Sequence, residues 1–137
     1  MDHFEYLRNV DWERLRATPA TERVTQRLLD PSSGAANCTF AVIRTPPGGA
    51  SPEGLHVHEV EQLVYVLDGT LSVDVDGRRL SVEPGGLVVL PPQVPHRVAN
   101  EAHEPSLHIA INAPAPDPRQ PRARRVEAGD ASEARAR

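Results

Sequence analysis

The chain has 137 residues and no lysine; all 15 of its basic residues are arginine. That absence excludes Schiff-base chemistry, pyridoxal phosphate attachment and the phosphate-loop lysine, each of which needs an ε-amine. Cysteine is nearly absent as well. Cys38 alone can form neither an internal disulfide nor a cysteine-based zinc site, and nothing points to an oxidising compartment. Long hydrophobic runs are missing: no stretch approaches the length that spans a bilayer, and the N-terminal MDHFEYLRNVDWERL carries acids where a secretion signal carries a basic head and an apolar core. A cytoplasmic protein with no membrane partner is the expectation. The formal charge of −4 offers no positive field for nucleic acid, so none is expected as a partner. The length supports one domain, and it is too short for a TIM barrel or a complete two-half dinucleotide-binding sheet.

Three regions differ in composition. Residues 1–22 scatter Phe4, Leu7, Val10, Trp12 and Leu15 among charges, which suits a short helix or a segment strapped across the body. Residues 113–137 hold four prolines, six arginines and four acids, with Val126 the sole large aliphatic; such a tail buries too little apolar surface to offset the entropy of ordering it, and reads as a disordered appendage. Between them, residues 23–112 consist of short β-branched and aliphatic runs: 23–29, 38–45, 55–67, 71–76, 79–83, 87–90, 96–99 and 106–112. The punctuation is DPSSG, TPPGG, two DG pairs, EPGG and LPPQVP. Strands this short with turns this frequent indicate an antiparallel sandwich or barrel. The hairpin is sharpest at 71–83, where Asp76-Gly77 supplies the positive φ that a type I′ turn demands.

Three of six histidines fall in this strand region. In an extended strand His56 and His58 share a face roughly 6.6 Å apart, and so can converge on one ion. Gln62 has the same parity, with Val64 and Val66 beyond it, whereas Glu61, Leu63, Tyr65 and Leu67 point the other way. Glu61 reaches the histidine face only if a bulge re-aims it. His96 follows the rigid corner Pro91-Pro92-Gln93-Val94-Pro95 and opens a strand of its own. His108 shares a face of its strand with Ala110 and Asn112: if that face points inward it is a candidate general acid/base, and if outward it is a surface residue. Tyr65 and Arg44 are weaker pocket candidates, Cys38 reads as a small buried hydrophobe, and His3 and His103 as solvated.

These residues carry a specific resemblance to the cupin superfamily. Its first motif reads G, five residues, H-x-H, three or four residues, E, six residues, G; here it appears as Gly49, six residues, His56-Val57-His58, three residues, Gln62, six residues, Gly69. Its second motif reads G, five residues, P-x-G, two residues, H, three residues, N; here it appears as Gly85, five residues, Pro91-Pro92-Gln93, two residues, His96, three residues, Asn100. The resemblance implies a double-stranded β-helix, the all-β cupin jelly roll, and a divalent metal ion (Zn²⁺, Fe²⁺, Mn²⁺ or Ni²⁺) held by His56, His58, Gln62 and His96. Gln93 stands where the family has a turn glycine, which hints at a negative φ there. Gln62 stands where the family usually has glutamate. Three neutral imidazoles and a neutral amide leave the ion's double charge uncompensated, which makes it a stronger Lewis acid. The chain is also similar to small cupins that act on unsaturated uronates, through the phrase Glu61-Gln62-Leu63-Val64-Tyr65-Val66-Leu67-Asp68-Gly69. Those enzymes carry acidic, aromatic and arginine residues on the closing strand; SLHIAIN has none, so their substrate does not carry over.

The expectation is a metal-dependent enzyme on a small oxygen-rich substrate, working as a Lewis-acid isomerase, cyclase or lyase or as an iron-dependent dioxygenase. The alternative is a non-catalytic small-molecule-binding or sensory module, since one barrel hosts both roles. The apolar side Leu63, Tyr65, Leu67 calls for covers, namely the N-terminal segment and the second copy of a homodimer.

Overall fold

The computed structural model describes residues 5–34, 37–50, 54–117, 119 and 124–126. His3 and most of the tail beyond Asp117 lie outside these residues. Ten strands form two five-stranded antiparallel sheets that face each other as a jelly roll. One sheet has the order β1 (Val24–Leu29), β2 (Thr39–Thr45), β9 (Ser106–Ala113), β4 (Glu61–Asp68), β7 (Leu87–Leu90). The other runs β10 (Arg124–Arg125), β3 (His56–Val57), β8 (His96–Ala99), β5 (Leu71–Val75), β6 (Arg78–Val82).

Alternation decides what each strand buries. Val64 and Val66 of β4, Leu71 and Val73 of β5, Val82 of β6, and Val88 and Leu90 of β7 meet between the sheets as the main core. The β5–β6 hairpin turns through Asp76 (φ 49°) and Gly77 (φ 73°), the paired left-handed residues of a type I′ turn. Gly69 (φ 75°) is required twice over, because a Cβ there would also lie 2.6 Å from the Pro105 carbonyl oxygen.

The run 55–67 is not one strand. The chain leaves the second sheet after Val57, turns through His58–Val60, and enters the first sheet at Glu61. The turn is fixed by Gln93, whose N–H donates to the His58 carbonyl at 2.9 Å. Gln62 therefore shares a cavity wall with His58 because the chain rounds a corner, and not through parity along one strand.

The N-terminal segment straps the outer side of β1 and β2. Its short helix α1 (Trp12–Ala17) is capped by the Asp11 side chain, and Leu15 is buried. Gln26 forms a two-way amide pair with the Asp11 backbone at 2.8 and 3.0 Å. Arg44 closes the other end of the strap: its guanidinium donates to the carbonyls of Leu15, Thr18, Pro19 and Glu22. Arg44 is thus an outward-facing clamp for α1 and has no place in the barrel interior, since its partner across β1 is Val24 on the strapped face.

Within the tail, Arg124 and Arg125 pair with Val57 and His56 as β10. Val126, the tail's one large aliphatic, packs against Val57 and Leu55 and is buried. One side chain is enough to anchor a two-residue strand to an otherwise open sheet edge.

Candidate metal centre

His56 and His96 sit directly opposite each other on β3 and β8, and His58 follows β3 by one residue. Ring centroids are 4.3 Å apart for His56 and His96, 5.0 Å for His56 and His58, and 4.9 Å for His58 and His96. One ring nitrogen from each lies within 4.8 Å of the others. Among the described residues this is the group of histidine, cysteine and acidic side chains able to hold a metal ion.

The backbone presets these rings. His96 Nδ1 lies 3.1 Å from the Val94 carbonyl oxygen and His56 Nδ1 3.4 Å from that of Gly54. With Nδ1–H donating to a carbonyl, Nε2 is left as a lone-pair donor, the arrangement by which ligating histidines are held in orientation. His96 Nε2 is buried and has no hydrogen-bond partner among the described residues. Burial, and then its neighbour His56, depresses His96 to about 3; burial chiefly lowers His56 as well. Two buried imidazoles, His56 and His96, whose neutral form burial favours, with His58 beside them and an orphaned nitrogen on His96, fit a divalent metal ion.

Gln62 lines a cavity of about 160 Å³ together with His58. Its amide makes no hydrogen bond within the described chain and remains available as a ligand or a substrate contact. Glu61 faces solvent on the opposite side of β4. The cavity continues along the inward residues of β1, β2 and β9, where Asn112 donates to Thr39 Oγ1 at 3.0 Å while Asn112 Oδ1 is buried without a partner.

His108 faces inward, 4% exposed, between Ile43 and Val66. It stands two residues along β9 from Ala110, which lines the cavity. Burial first, and then the Arg23 charge, pushes its imidazole down to about 4, so it is neutral at pH 7. Tyr65 is on the outer face, His103 is exposed and Cys38 is half-buried.

Sequence reasoning missed one feature of the site, left a second without a role and misjudged a third. Arg23, Thr25 and Arg27 line the cavity from β1; the parity of Val24 and Gln26, both buried under the strap, was the available signal. Asn100 is fully buried and structural: its side-chain amide donates to the carbonyls of Thr45 and Glu104, and its Oδ1 accepts from the Ala102 N–H. Gln93 adopts φ +63° where a negative value was expected. The corner keeps the left-handed conformation that a glycine would take, and the glutamine bears its cost so that its N–H can hold His58.

Comparison with curated proteins gives no significant match. Among solved structures, the polyketide cyclase RemF from Streptomyces resistomycificus is similar at 27% identity, with a TM-score of 0.65, covering 82% of this chain and 77% of that one. A cupin 2 domain-containing protein from Halorhodospira halophila is similar at 27% identity, with a TM-score of 0.66, covering 82% and 75%. A protein from Thermus thermophilus is similar at 25% identity, with a TM-score of 0.65, covering 80% and 100%. Residues 41–112, from β2 to the end of β9 and including all three histidines, match the Cupin domain, so the chain belongs to the cupin family.

Proposed function

We propose that this cupin is a metal-dependent enzyme that acts on a small, oxygen-rich substrate in the 160 Å³ cavity, with cyclisation or isomerisation favoured over the other reactions open to such a site. The observation that carries the reading is the orphaned Nε2 of His96 grouped with His56 and His58, the last of which lines the cavity. Similarity to a polyketide cyclase supports the choice of reaction. His56, His58 and His96 would hold the ion and Gln62 would offer its amide oxygen. A bound divalent ion supplies Lewis-acid polarisation of a substrate carbonyl, enol or carboxylate oxygen. The chain's own part is orientation: the Val94 and Gly54 carbonyls aim the rings, and Asn112 and Thr39 present a hydrogen-bonded pair with one acceptor to spare. Asn112 Oδ1 can then accept a substrate hydroxyl. His108, neutral and inward, would act as a weak base rather than an acid. No described helix is long and apolar enough to cross a membrane, and we place the protein in the cytoplasm, in keeping with the free Cys38.

Elemental analysis of protein purified without chelators is expected to give near-stoichiometric metal, lost in His56→Ala, with chelation lowering the melting temperature of the wild type alone. Absence of metal from the wild type would sink the reading. Metal-loaded protein is then incubated with a panel of enolisable carbonyl compounds and followed by mass spectrometry. Binding without conversion would assign the small-molecule-binding module instead. Leu87, Val89 and Tyr65 expose an apolar patch across β4 and β7, and we propose that a second copy covers it; sedimentation of wild type against Leu87→Asp tests that dimer.

A further inference from the structure

Strand β1 is the edge of its sheet, and the strap settles its orientation. Val24 and Gln26 are buried outward under the N-terminal segment at 4% and 8% exposure, so Arg23, Thr25 and Arg27 turn into the barrel mouth. Thr25 lies opposite Ile43 and Arg27 opposite Ala41, both cavity-lining residues of β2. Among the described residues the cavity wall therefore holds two guanidiniums and no carboxylate.

Among the described residues neither arginine is used elsewhere. Arg8 and Arg44 are spent on carbonyls of the strap region, and Arg79 and Arg97 on Asp74 and Glu101. Arg23 and Arg27 make no hydrogen bond or ion pair with any described residue. The carboxylate whose charge Arg27 influences is Asp30, which is committed to the N–H groups of Ser32 and Ser33 and does not line the cavity. Burial draws Arg23 below its ordinary value although the residue keeps one side in solvent, and its charge in turn depresses His108. An uncompensated pair of guanidiniums on a concave wall focuses positive potential into the cavity. The planar fork of each matches an oxyanion with two parallel N–H donors.

We propose that Arg23 and Arg27, with the Thr25 hydroxyl between them, form an oxyanion-binding wall, so that the substrate is an anion whose carboxylate or phosphate group docks on β1. β1 and β4 are separated by β2 and β9, about 14 Å at the backbone for three strand spacings. The long arginine stems shorten that gap, and the apolar stretch between is lined by Phe40, Ile43 and Ala110. The site thus selects a molecule with an anionic end at β1, an apolar body, and an oxygen function at Gln62 and the histidines. This last clause rests on the metal-enzyme reading; the oxyanion wall does not.

Calorimetric titration of metal-free, chelator-treated protein with benzoate, benzamide and inorganic phosphate separates the two ideas. Benzoate or phosphate is expected to bind the wild type, with an affinity that falls as salt rises, and neutral benzamide is expected not to bind. Preference between the two anions identifies the source of the oxyanion. Arg23→Gln/Arg27→Gln is expected to lose at least tenfold in affinity, each single variant less, and Arg16→Gln, on the solvent side of α1, none. His56→Ala is expected to bind the anion as the wild type does, so a failed metal reading leaves this result standing. Equal binding of benzoate and benzamide, no binding of any probe, or undiminished anion binding by the double variant would overturn the proposal. Both arginines are exposed, and melting curves of the single variants show whether any loss reflects unfolding.

Discussion

His108 ties the acid stability of the barrel to one buried imidazole. It is 4% exposed, its Nδ1 has no partner, and burial together with Arg23 holds it near 4 against an ordinary value of 6.5. The fold favours the neutral ring, so its contribution is intact above pH 6.5 and is lost as pH falls from 6.5 through 4, below which the loss is complete. At about 1.4 kcal/mol for each tenfold change in proton affinity, the full loss is ~3 kcal/mol, of which ~2 kcal/mol falls by pH 5. Urea denaturation of chelator-treated wild type and His108→Gln at pH 7 and pH 5 isolates this quantity. His56 and His96 are common to both proteins and cancel in the double difference. With a urea slope of roughly 1–3 kcal/mol per molar, the wild-type midpoint should fall by about 1 M more than that of the variant. Arg23→Gln should recover the smaller, electrostatic part of the difference. Equal pH dependence in wild type and His108→Gln would refute the assignment of a depressed, neutral His108.

Four further outcomes follow from the geometry. Gln62→Glu adds a compensating negative charge, so metal should bind at least as tightly by competition with a chelator, while turnover falls by on the order of tenfold, about 1.4 kcal/mol of lost charge stabilisation. Gln93→Gly relieves a left-handed glutamine at φ +63°; after the extra entropy of glycine in the unfolded chain, thermal unfolding should show a gain of about 0.5–1 kcal/mol. Asn100→Ala removes three hydrogen bonds, one buried and two part-buried, that tie Thr45, Ala102 and Glu104 together, and denaturation should show a loss of about 3 kcal/mol. A chain ending at Asp117 loses Val126 from the Val57 face, which should cost ~2 kcal/mol in stability and weaken metal binding through the freed edge at His56.

Much of this barrel is legible in the chain because antiparallel strands advertise themselves locally. The β5–β6 hairpin follows from alternation plus Asp76-Gly77, and the inward direction of Val64 and Val66 from period two. The histidine cluster is legible for the same reason, since it depends on strand spacing and a proline corner. Features set by contacts distant in sequence were not. The break after Val57 needs the Gln93 N–H, 35 positions beyond His58. Arg44 carries the same local signals as a pocket arginine, and only the arrival of α1, 27 or more residues upstream, converts it into a clamp. Val126 cannot declare a partner until β3 exposes Val57.

Strand β9 shows most sharply why alternation alone does not assign faces. SLHIAIN has an aliphatic face, Leu107, Ile109, Ile111, and a polar one, Ser106, His108, Asn112. Hydrophobic burial would turn the aliphatic face inward. The protein does the reverse: Ser106, His108 and Ala110 are buried and the aliphatic residues only half-buried. Register forces the choice, because β9 pairs with β2 and β4 on either side, placing Asn112 between Thr39 and Gln62 and His108 between Ile43 and Val66. A slip of one residue would bury Ile109 and Ile111 but would withdraw Asn112 from the cavity. The cost is visible in Ser106 Oγ, His108 Nδ1 and Asn112 Oδ1, three buried polar atoms on one inner face without partners among the described residues. Each such atom costs roughly 1–3 kcal/mol when nothing satisfies it. A strand whose outward face could supply a better core, yet which turns Asn112 into the cavity wall and buries Ser106 and His108, gives up stability that the barrel alone would keep, as the proposed binding role of the cavity requires.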